Sequence, residues 1–463
     1  MTTTGIPVAA DAPSALGAAD GLPTPRRYWA AAAIWSAMIL TVLDSSIANI
    51  ALPVIARDFS ARPAEAVWIV NAYQLASVVC LLPLASLGEV VGFKRVYLAG
   101  LALFTAASLG CALSRSLPAL AAARTIQGLG AAAVMSVNPA LVRFIYPSGR
   151  LGRGIGYNAM IISAGAAVGP SLASGILAVA PWPWLFAINL PVGVVALAMA
   201  GANLPMNPLV RRRFDTVAAT LNALAFGFVI TGVDVLTRSR ARLVGALEIA
   251  AGALAGAALA RREWPKVAPL VPFDLLRGRM FLLSIATSTV GFAAQMLAFV
   301  SLPFHFEDTL GRGQVATGLL LTPWPVAVGV AAPLAGRLAD RVAPALLVVI
   351  GLVAFAAGLA ALALAPATAG NWDIAWRMAL CGAGFGFFQS PNNRMMLLGA
   401  PRERSGAAGG MLATARLTGQ TLGAAATASL LHLLGTAGET VALWSAAGIA
   451  LAGAGVSAAR LKS

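Results

Sequence analysis

Apolar runs long enough to cross a bilayer recur along the whole chain. They lie at about 28–54, 66–87, 94–113, 117–143, 153–179, 184–204, 215–236, 243–261, 279–304, 313–338, 343–366, 373–398, 405–432 and 439–459. A crossing takes about 20 residues, and a backbone in hydrocarbon must satisfy its own hydrogen bonds, so runs of this length fold as helices. Fourteen of them in 463 residues leave only short connections. The expectation is an all-α integral membrane protein. Composition agrees: 59% of residues are apolar and 11% charged, where a soluble domain has about 25% charged.

The charges give this architecture an orientation. The chain carries 32 Lys+Arg against 17 Asp+Glu, a formal charge of +15. Arg26–Arg27, Lys94–Arg95, Arg150 and Arg153, Arg211–Arg213, Arg261–Arg262 with Lys266, Arg337 and Arg341, Arg402 and Arg404, and Arg460 with Lys462 fall on alternate connections. Basic connections stay in the cytosol, so both termini are expected there, with 1–27 a cytosolic tail lacking an apolar core or cleavage site. The exception is Arg238, Arg240 and Arg242, whose nearest acids are Asp234 and Glu248. No basic cluster is interleaved with stacking aromatics, so the excess positive charge does not indicate nucleic acid. The connections imply a multi-pass chain with lipid as its surrounding partner.

Enzymatic chemistry has no residues to carry it. There is no GxxxxGK[ST] phosphate loop, no HExxH and no plausible triad; His305 and His432 lie far apart. Cys80, Cys111 and Cys381 sit singly inside apolar runs and read as small core residues. No cofactor or metal is expected.

An internal repeat divides the chain. Gly128-Leu-Gly130, ending in Ser136-Val-Asn138-Pro139, is echoed 254 residues later by Gly382-Ala-Gly384, ending in Ser390-Pro-Asn392-Asn393. Gly165-xxx-Gly169 returns at the same offset as Gly419-xxx-Gly423, and Leu87-Gly-Glu89 with Gly92 returns 251 residues on as Leu338-Ala-Asp340-Arg341. The pattern predicts two six-helix bundles, 28–204 and 263–463, with two helices inserted over 205–262. Parallel repeats place a binding site near the midplane between the halves.

Ionisable groups within spans are costly and therefore candidates for function. Asp44 lies about 24 Å along the first run from its cytosolic end, too deep to reach water easily. It is either a proton carrier or half of a permanent ion pair. Arg124, Gln127/Gly128 and Ala131 share one helix face, giving a buried guanidinium that needs a carboxylate or backbone partner. Arg377 and Arg416 are weaker candidates in the second half. Gly156, Gly165 and Gly169-Pro170 form a smooth face and a bend on which one helix can rock against another. Asn49, Asn71, Tyr73 and Gln74 bring polar and aromatic groups toward the expected cavity. Phe281, Phe292, Met296, Phe299, Phe304, Phe385, Phe387 and Phe388, with Asn392, add a wall suited to flat cations, although each is also an ordinary packing residue.

These stretches resemble the major facilitator superfamily, specifically its fourteen-helix drug–proton antiporters, over about residues 25–460. Leu43-Asp44-Ser-Ser-Ile-Ala-Asn49-Ile-Ala-Leu-Pro53 is similar to the first-helix motif in which the acid couples to protons. Ala85-Ser-Leu-Gly-Glu89-Val-Val-Gly92-Phe-Lys94-Arg95 resembles the loop motif that acts as a conformational latch, with Glu89 standing for Asp and Phe93 for Arg. Arg124, Gln127 and Gly128 match the proton-transfer motif, and Gly165 through Pro170 the antiporter motif, which implies export. Trp68-Ile-Val-Asn-Ala-Tyr-Gln74, Leu321-Thr-Pro-Trp-Pro325 and Ala400-Pro-Arg-Glu-Arg-Ser-Gly406 are most similar to methyl viologen and quaternary-ammonium efflux proteins. The resemblance implies a proton-driven multidrug antiporter for lipophilic cations. Asp44, Asn49, Asn71, Tyr73, Gln74, Gln127, Met296, Phe299, Phe388 and Asn392 would be its cargo contacts. Glu89, Gly92, Lys94, Arg95, Asp340 and Arg341 would gate it. The alternatives are a dedicated metabolite or antibiotic exporter and, from another class, a membrane scaffold or sensor.

Overall fold

Each apolar interval holds a helix because nothing else satisfies its backbone in lipid. The computed structural model describes residues 20–61, 63–66, 68–209, 213–238, 242–266, 269, 272–366, 368–434 and 437–461, and contains no strand among them. The helices are α1 (Arg26–Asp58), α2 (Pro63–Ala66), α3 (Trp68–Val91), α4 (Phe93–Ala112), α5 (Leu117–Ile145), α6 (Leu151–Val179), α7 (Trp184–Ala187), α8 (Asn189–Asn203) and α9 (Thr216–Arg238). They continue as α10 (Arg242–Glu263), α11 (Phe273–Leu276), α12 (Arg279–Phe304), α13 (Gln314–Leu321), α14 (Pro323–Leu338), α15 (Pro344–Ala363), α16 (Asn371–Leu398), α17 (Ser405–Leu434) and α18 (Ala437–Ala458).

Among the described residues, ten helices are long and apolar enough to cross a membrane by length and composition. Two intervals are filled by broken helices. The break between α13 and α14 falls at Thr322, immediately before Pro323, where a proline closes one helix and can open the next. α16 is less apolar than its neighbours because it carries Asp373, Arg377, Asn392, Asn393 and Arg394. Asp373 and Arg377 pair with each other near the start of the helix, Asn392 and Arg394 bond to protein, and Asn393 lines the space between the halves, so the polar groups are compensated.

The first half packs α1 and α3 through α8 around small residues. On Gly100 a Cβ would lie 2.3 Å from that of Ala133, and on Gly130 it would lie 2.5 Å from the backbone of Phe104, so α4 and α5 meet backbone to backbone. The second half, α12 through α18, repeats the device: added Cβ atoms at Gly351 and Gly384 would strike the α16 and α15 backbones. Its core is aromatic, with Phe385 in edge contact with Phe292 at 5.4 Å, Phe388 at 5.5 Å and Phe355 at 5.7 Å. Gly232 and Gly252 press α9 and α10 together, and Asn222 Nδ2 donates to the Val79 carbonyl of α3 at 2.9 Å, attaching that pair to the first half.

The halves meet along α6 with α14 and α3 with α17. A Cβ on Gly156 would lie 2.6 Å from the Ala332 carbonyl, and one on Gly410, its counterpart at the 254-residue offset, would touch Ala85 and Leu82 at 3.0 Å. Gly165 and Gly419 pack within their own halves, against Val42 of α1 and Thr289 of α12. Basic helix ends lie together at one end of the bundle, as the contacts of Arg26 with the Asn203 carbonyl, Lys94 with the Gly201 carbonyl and Arg143 with the Pro401 carbonyl show; Arg211, Arg212 and Lys462 lie outside the described residues. Arg240 lies outside the described residues, as do the side chains of Asp234, Arg238 and Arg242.

Candidate functional site

Asp44 is the hub of a sealed polar network inside the first half. Asp44 is 1% exposed, and four helices besides its own contribute to the network around it. Arg124 Nη1 of α5 donates to Oδ2. Gln127 Nε2, one turn further along α5, donates to Oδ1 at 2.8 Å, and Asn189 Nδ2 of α8 does so at 2.9 Å. Ser108 Oγ of α4 accepts from Gln127 at 2.8 Å and from Asn189 at 3.4 Å. From α3 come the Ile69 carbonyl, which accepts from Arg124 Nε at 3.2 Å, and the Tyr73 ring, 4.2 Å from the guanidinium carbon.

The spacing of α5 is what builds this arrangement. Residues three apart share a helix face, so Arg124 and Gln127 reach the same carboxylate while Arg124 Nη1 also donates to Gln127 Oε1 at 2.6 Å. Gly128 lets α3 approach: a Cβ there would lie 2.4 Å from the Tyr73 carbonyl. In low dielectric the two charges compensate each other, and removing either leaves the other buried and unpaired at a cost of about 3–5 kcal/mol. Arg124 Nη2 is buried without a hydrogen-bond partner. Arg124 keeps two further acceptors, the Ile69 carbonyl and Gln127 Oε1, beside the carboxylate.

Two matched contacts join the halves at the basic end. Glu89, at the end of α3 and fully buried, accepts from Arg404 Nη1 at 3.0 Å and from the Ala407 backbone N–H at 2.7 Å. The latter is in the first turn of α17, where unpaired amides and the helix dipole favour an anion. Asp340, its repeat counterpart, accepts from the Gly152 N–H in the first turn of α6 at 3.0 Å and from Arg394 at 3.2 Å. Each acid thus caps a helix of the opposite half. Gly152 and Gly336 make the second contact tight, since a Cβ on either would lie within 2.2 Å of the other's carbonyl oxygen.

The gate differs from the sequence expectation in its basic members. Lys94 Nζ donates to the Gly201 carbonyl within its own half at 2.7 Å, Arg95 to the Val91 carbonyl one turn back at 3.3 Å, and Arg341 is exposed. The charges that face an acid of the other half are Arg404, on Glu89, and Arg153, 4.0 Å from Asp340, whereas Arg394 pairs with Asp340 within the second half. Arg404 also holds Asp274 at 2.9 and 3.0 Å. Gly92 caps α4 at φ +108, a conformation open to glycine and strained for other residues. Phe93, where the resembling motif has Arg, is buried against Gly88.

A cavity lies between the halves, on the basic side of Asp44. Its lining includes Met38, Met135, Asn138, Asn158, Gln389, Asn393 and Arg416. Met38 precedes Asp44 by six residues, about 9 Å along α1. Of the expected cargo contacts, Asp44, Tyr73 and Gln127 come together in the buried network. Phe388 is fully buried in the aromatic core, and Asn392 is buried with Nδ2 on the Ser284 carbonyl at 3.0 Å and Oδ1 on Arg460 at 2.9 Å. Their chain neighbours Gln389 and Asn393 reach the cavity. Asn71 and Met296 are half-buried; Gln74 and Phe299 are exposed, Phe299 stacking edge-on with Trp324 at 5.4 Å. Gly169 is a buried residue of α6, while the side chains of Asn49 and Pro170 lie outside the described residues. Arg377 is taken locally by Asp373.

Sequence reasoning missed Ser108, Asn189, Arg404 as the partner of Glu89, and the cavity amides. Arg404 had a signal: it is Arg150 plus the 254-residue offset. Asn189 gave none beyond being an amide in an apolar run.

Residues 34–424 match the family described as the Major Facilitator Superfamily. The chain belongs to that family. It is 50% identical over 445 residues to "Uncharacterized transporter YebQ" of Escherichia coli (strain K12), covering 96% of this chain and 97% of that protein. It is 32% identical over 403 residues to "Multidrug resistance protein Stp" of Mycobacterium tuberculosis (strain ATCC 25618 / H37Rv), covering 85% and 74%. A structure of double Trp XylE mutants superimposes with a TM-score of 0.67 at 14% identity, over 92% of this chain and 94% of that one, a likeness of fold. This major facilitator protein is a multi-pass transporter of small molecules, not an enzyme.

Proposed function

We propose that this transporter is a proton-driven exporter, carrying lipophilic small molecules from the cytosol across the inner membrane in exchange for protons. The observation that carries the reading is the Asp44 carboxylate, deep in α1 and held by Arg124, Gln127 and Asn189. In the proposed topology fourteen segments cross the membrane and the basic end faces the cytosol, with both termini. The latches at Glu89 and Asp340 are then closed toward the cytosol. Protonation of Asp44 releases Arg124 and biases one arrangement of the halves; cargo biases the other. Support for export of foreign compounds comes from the likeness to a protein named for multidrug resistance.

Methyl viologen and quaternary-ammonium cargo, expected from the resembling motifs, would require a free carboxylate at the site. Both Asp44 oxygens are engaged, which makes Asp44 a proton site before it is a cation site. A second reading, a dedicated exporter of one metabolite, is favoured by the polar amides that line the cavity, because a fixed polar code narrows the cargo range.

The test is uptake of cargo dyes into inside-out vesicles under an imposed proton gradient, with and without a protonophore, in wild type and Asp44→Asn. Export that needs both the gradient and Asp44 supports the reading. Gradient-driven export by Asp44→Asn at the wild-type rate rejects it.

A further inference from the structure

Among the described residues, the cavity between the halves presents a single charge, and that charge is positive. Arg416 of α17 lines it together with Asn138, Asn158, Gln389 and Asn393, and no described carboxylate does. The acids closest to the gate are committed elsewhere: Glu89 and Asp274 to Arg404, Asp340 to Arg394 and the α6 amide. Asp44 is committed to Arg124. Arg416 Nε is buried without a hydrogen-bond partner, and no ion pair to Arg416 occurs among the described residues.

A guanidinium at membrane depth without a counter-charge is expensive, so either water or a ligand must compensate it. Its planar fork matches a carboxylate, to which it can donate two parallel hydrogen bonds. Two further atoms in the lining are buried and unpartnered, the Asn138 and Asn393 Oδ1 oxygens. They can accept from a hydroxyl or N–H on the same ligand, while the apolar surface of Met38 and Met135 receives an apolar body.

We infer that the cavity binds an amphipathic organic anion, its carboxylate on Arg416 and its apolar body between the methionines. The inference rests on the cavity being the cargo site of the exporter proposed above, and it names the cargo class. A lipophilic cation is disfavoured at this position, because it would meet Arg416 as a like charge at short range.

The experiment is equilibrium binding to the purified full-length protein in nanodiscs, with fluorescein as an aromatic carboxylate and ethidium as an aromatic cation. Wild type is expected to bind fluorescein saturably. Arg416→Gln should weaken that binding at least tenfold and Arg416→Lys, which keeps the charge but not the fork, by an intermediate factor. Ethidium binding should be unchanged or tighter in Arg416→Gln, a readout that a merely structural arginine would not move in that direction. Should Arg416→Gln fail to fold, Asn393→Leu carries the test, with a several-fold loss for fluorescein alone. Fluorescein binding unaffected by both substitutions, or a wild type that binds ethidium and not fluorescein, or neither, overturns the inference. The binding needs no gradient. Arg416-dependent binding without gradient-driven transport would therefore reject the proposed function and leave the binding site standing.

Discussion

Replacing Glu89 by Gln should open the basic end. Glu89 is buried at the interface of α3 with α17, where it accepts from Arg404 at 3.0 Å and from the Ala407 N–H at 2.7 Å. Glutamine keeps the shape and a carbonyl acceptor but removes the charge. Arg404 retains Asp274 at 2.9 and 3.0 Å, so it is not orphaned and the loss stays below the about 3–5 kcal/mol of a broken buried pair. A charge-assisted hydrogen bond contributes about 1.5–3 kcal/mol, which places the expected loss near 2 kcal/mol. If the contact exists only with that end closed, the equilibrium shifts toward the open arrangement by about 30-fold, at about 1.36 kcal/mol per tenfold. The assay is cysteine accessibility. Ala413 lines the cavity, so Ala413→Cys, in a background with Cys80, Cys111 and Cys381 replaced by Ala, reports access from the basic end. An impermeant maleimide added to that face of inside-out vesicles should label the Glu89→Gln protein about 30 times faster. A labelling rate within twofold of wild type, both there and in Asp340→Asn, would refute the latch.

Gly336→Ala should act in the same direction, because its Cβ would lie 2.1 Å from the Gly152 carbonyl oxygen in the closed arrangement; the same maleimide assay reads it. Asn189→Leu should lower thermal stability by about 1–3 kcal/mol, since it removes a donor to the Asp44 carboxylate and leaves that acceptor less satisfied. Asp215 sits just before α9. Burial alone would raise its carboxyl, but bonds to Lys266 and the Ala218 N–H, with the charges of Lys266 and Arg262, hold it down at about 2. A carboxylate so depressed stabilises the fold above the usual pKa near 4 and loses that contribution as pH falls toward 2. Asp215→Asn should therefore lower the unfolding temperature by a nearly constant amount between pH 5 and 8, and by less as the pH falls toward 2. Exchange of one anion for one proton moves two charges, so an inside-negative potential should drive export by about 4.6 kcal/mol per 100 mV; valinomycin-imposed potentials check this against a potential-independent rate.

The parts of the molecule legible in the sequence are those fixed by periodicity and repetition. Long apolar intervals became helices because lipid allows the backbone little else. Asp44 and Arg124 were each legible as a buried charge in want of a partner, in the first and fourth apolar runs, and the matched contacts followed from the echo of Glu89 in Asp340. What the pattern could not give is the direction in which a side chain points when one helix turn separates core from cavity. Phe388 and Asn392 stand beside Gln389 and Asn393, yet the first two are buried in the second half and the other two line the cavity. Lys94 and Arg95 carried the charge expected of a gate, but the closer carbonyls of Gly201 and Val91 engage them, and Arg404 crosses instead. Asn189 shows a third limit: a single amide in an apolar run has no partner until the fold brings Asp44 to it.

The most direct measurement of proton exchange is internal pH in proteoliposomes containing the purified protein and entrapped pyranine. A cargo gradient is imposed with no initial pH difference. In wild type, cargo leaving in one direction should drive protons in the other and shift the pyranine signal, and Asp44→Asn should abolish that shift while remaining folded. Cargo flux without proton movement in wild type, or an undiminished proton signal in Asp44→Asn, would contradict a proton-coupled exchange centred on Asp44.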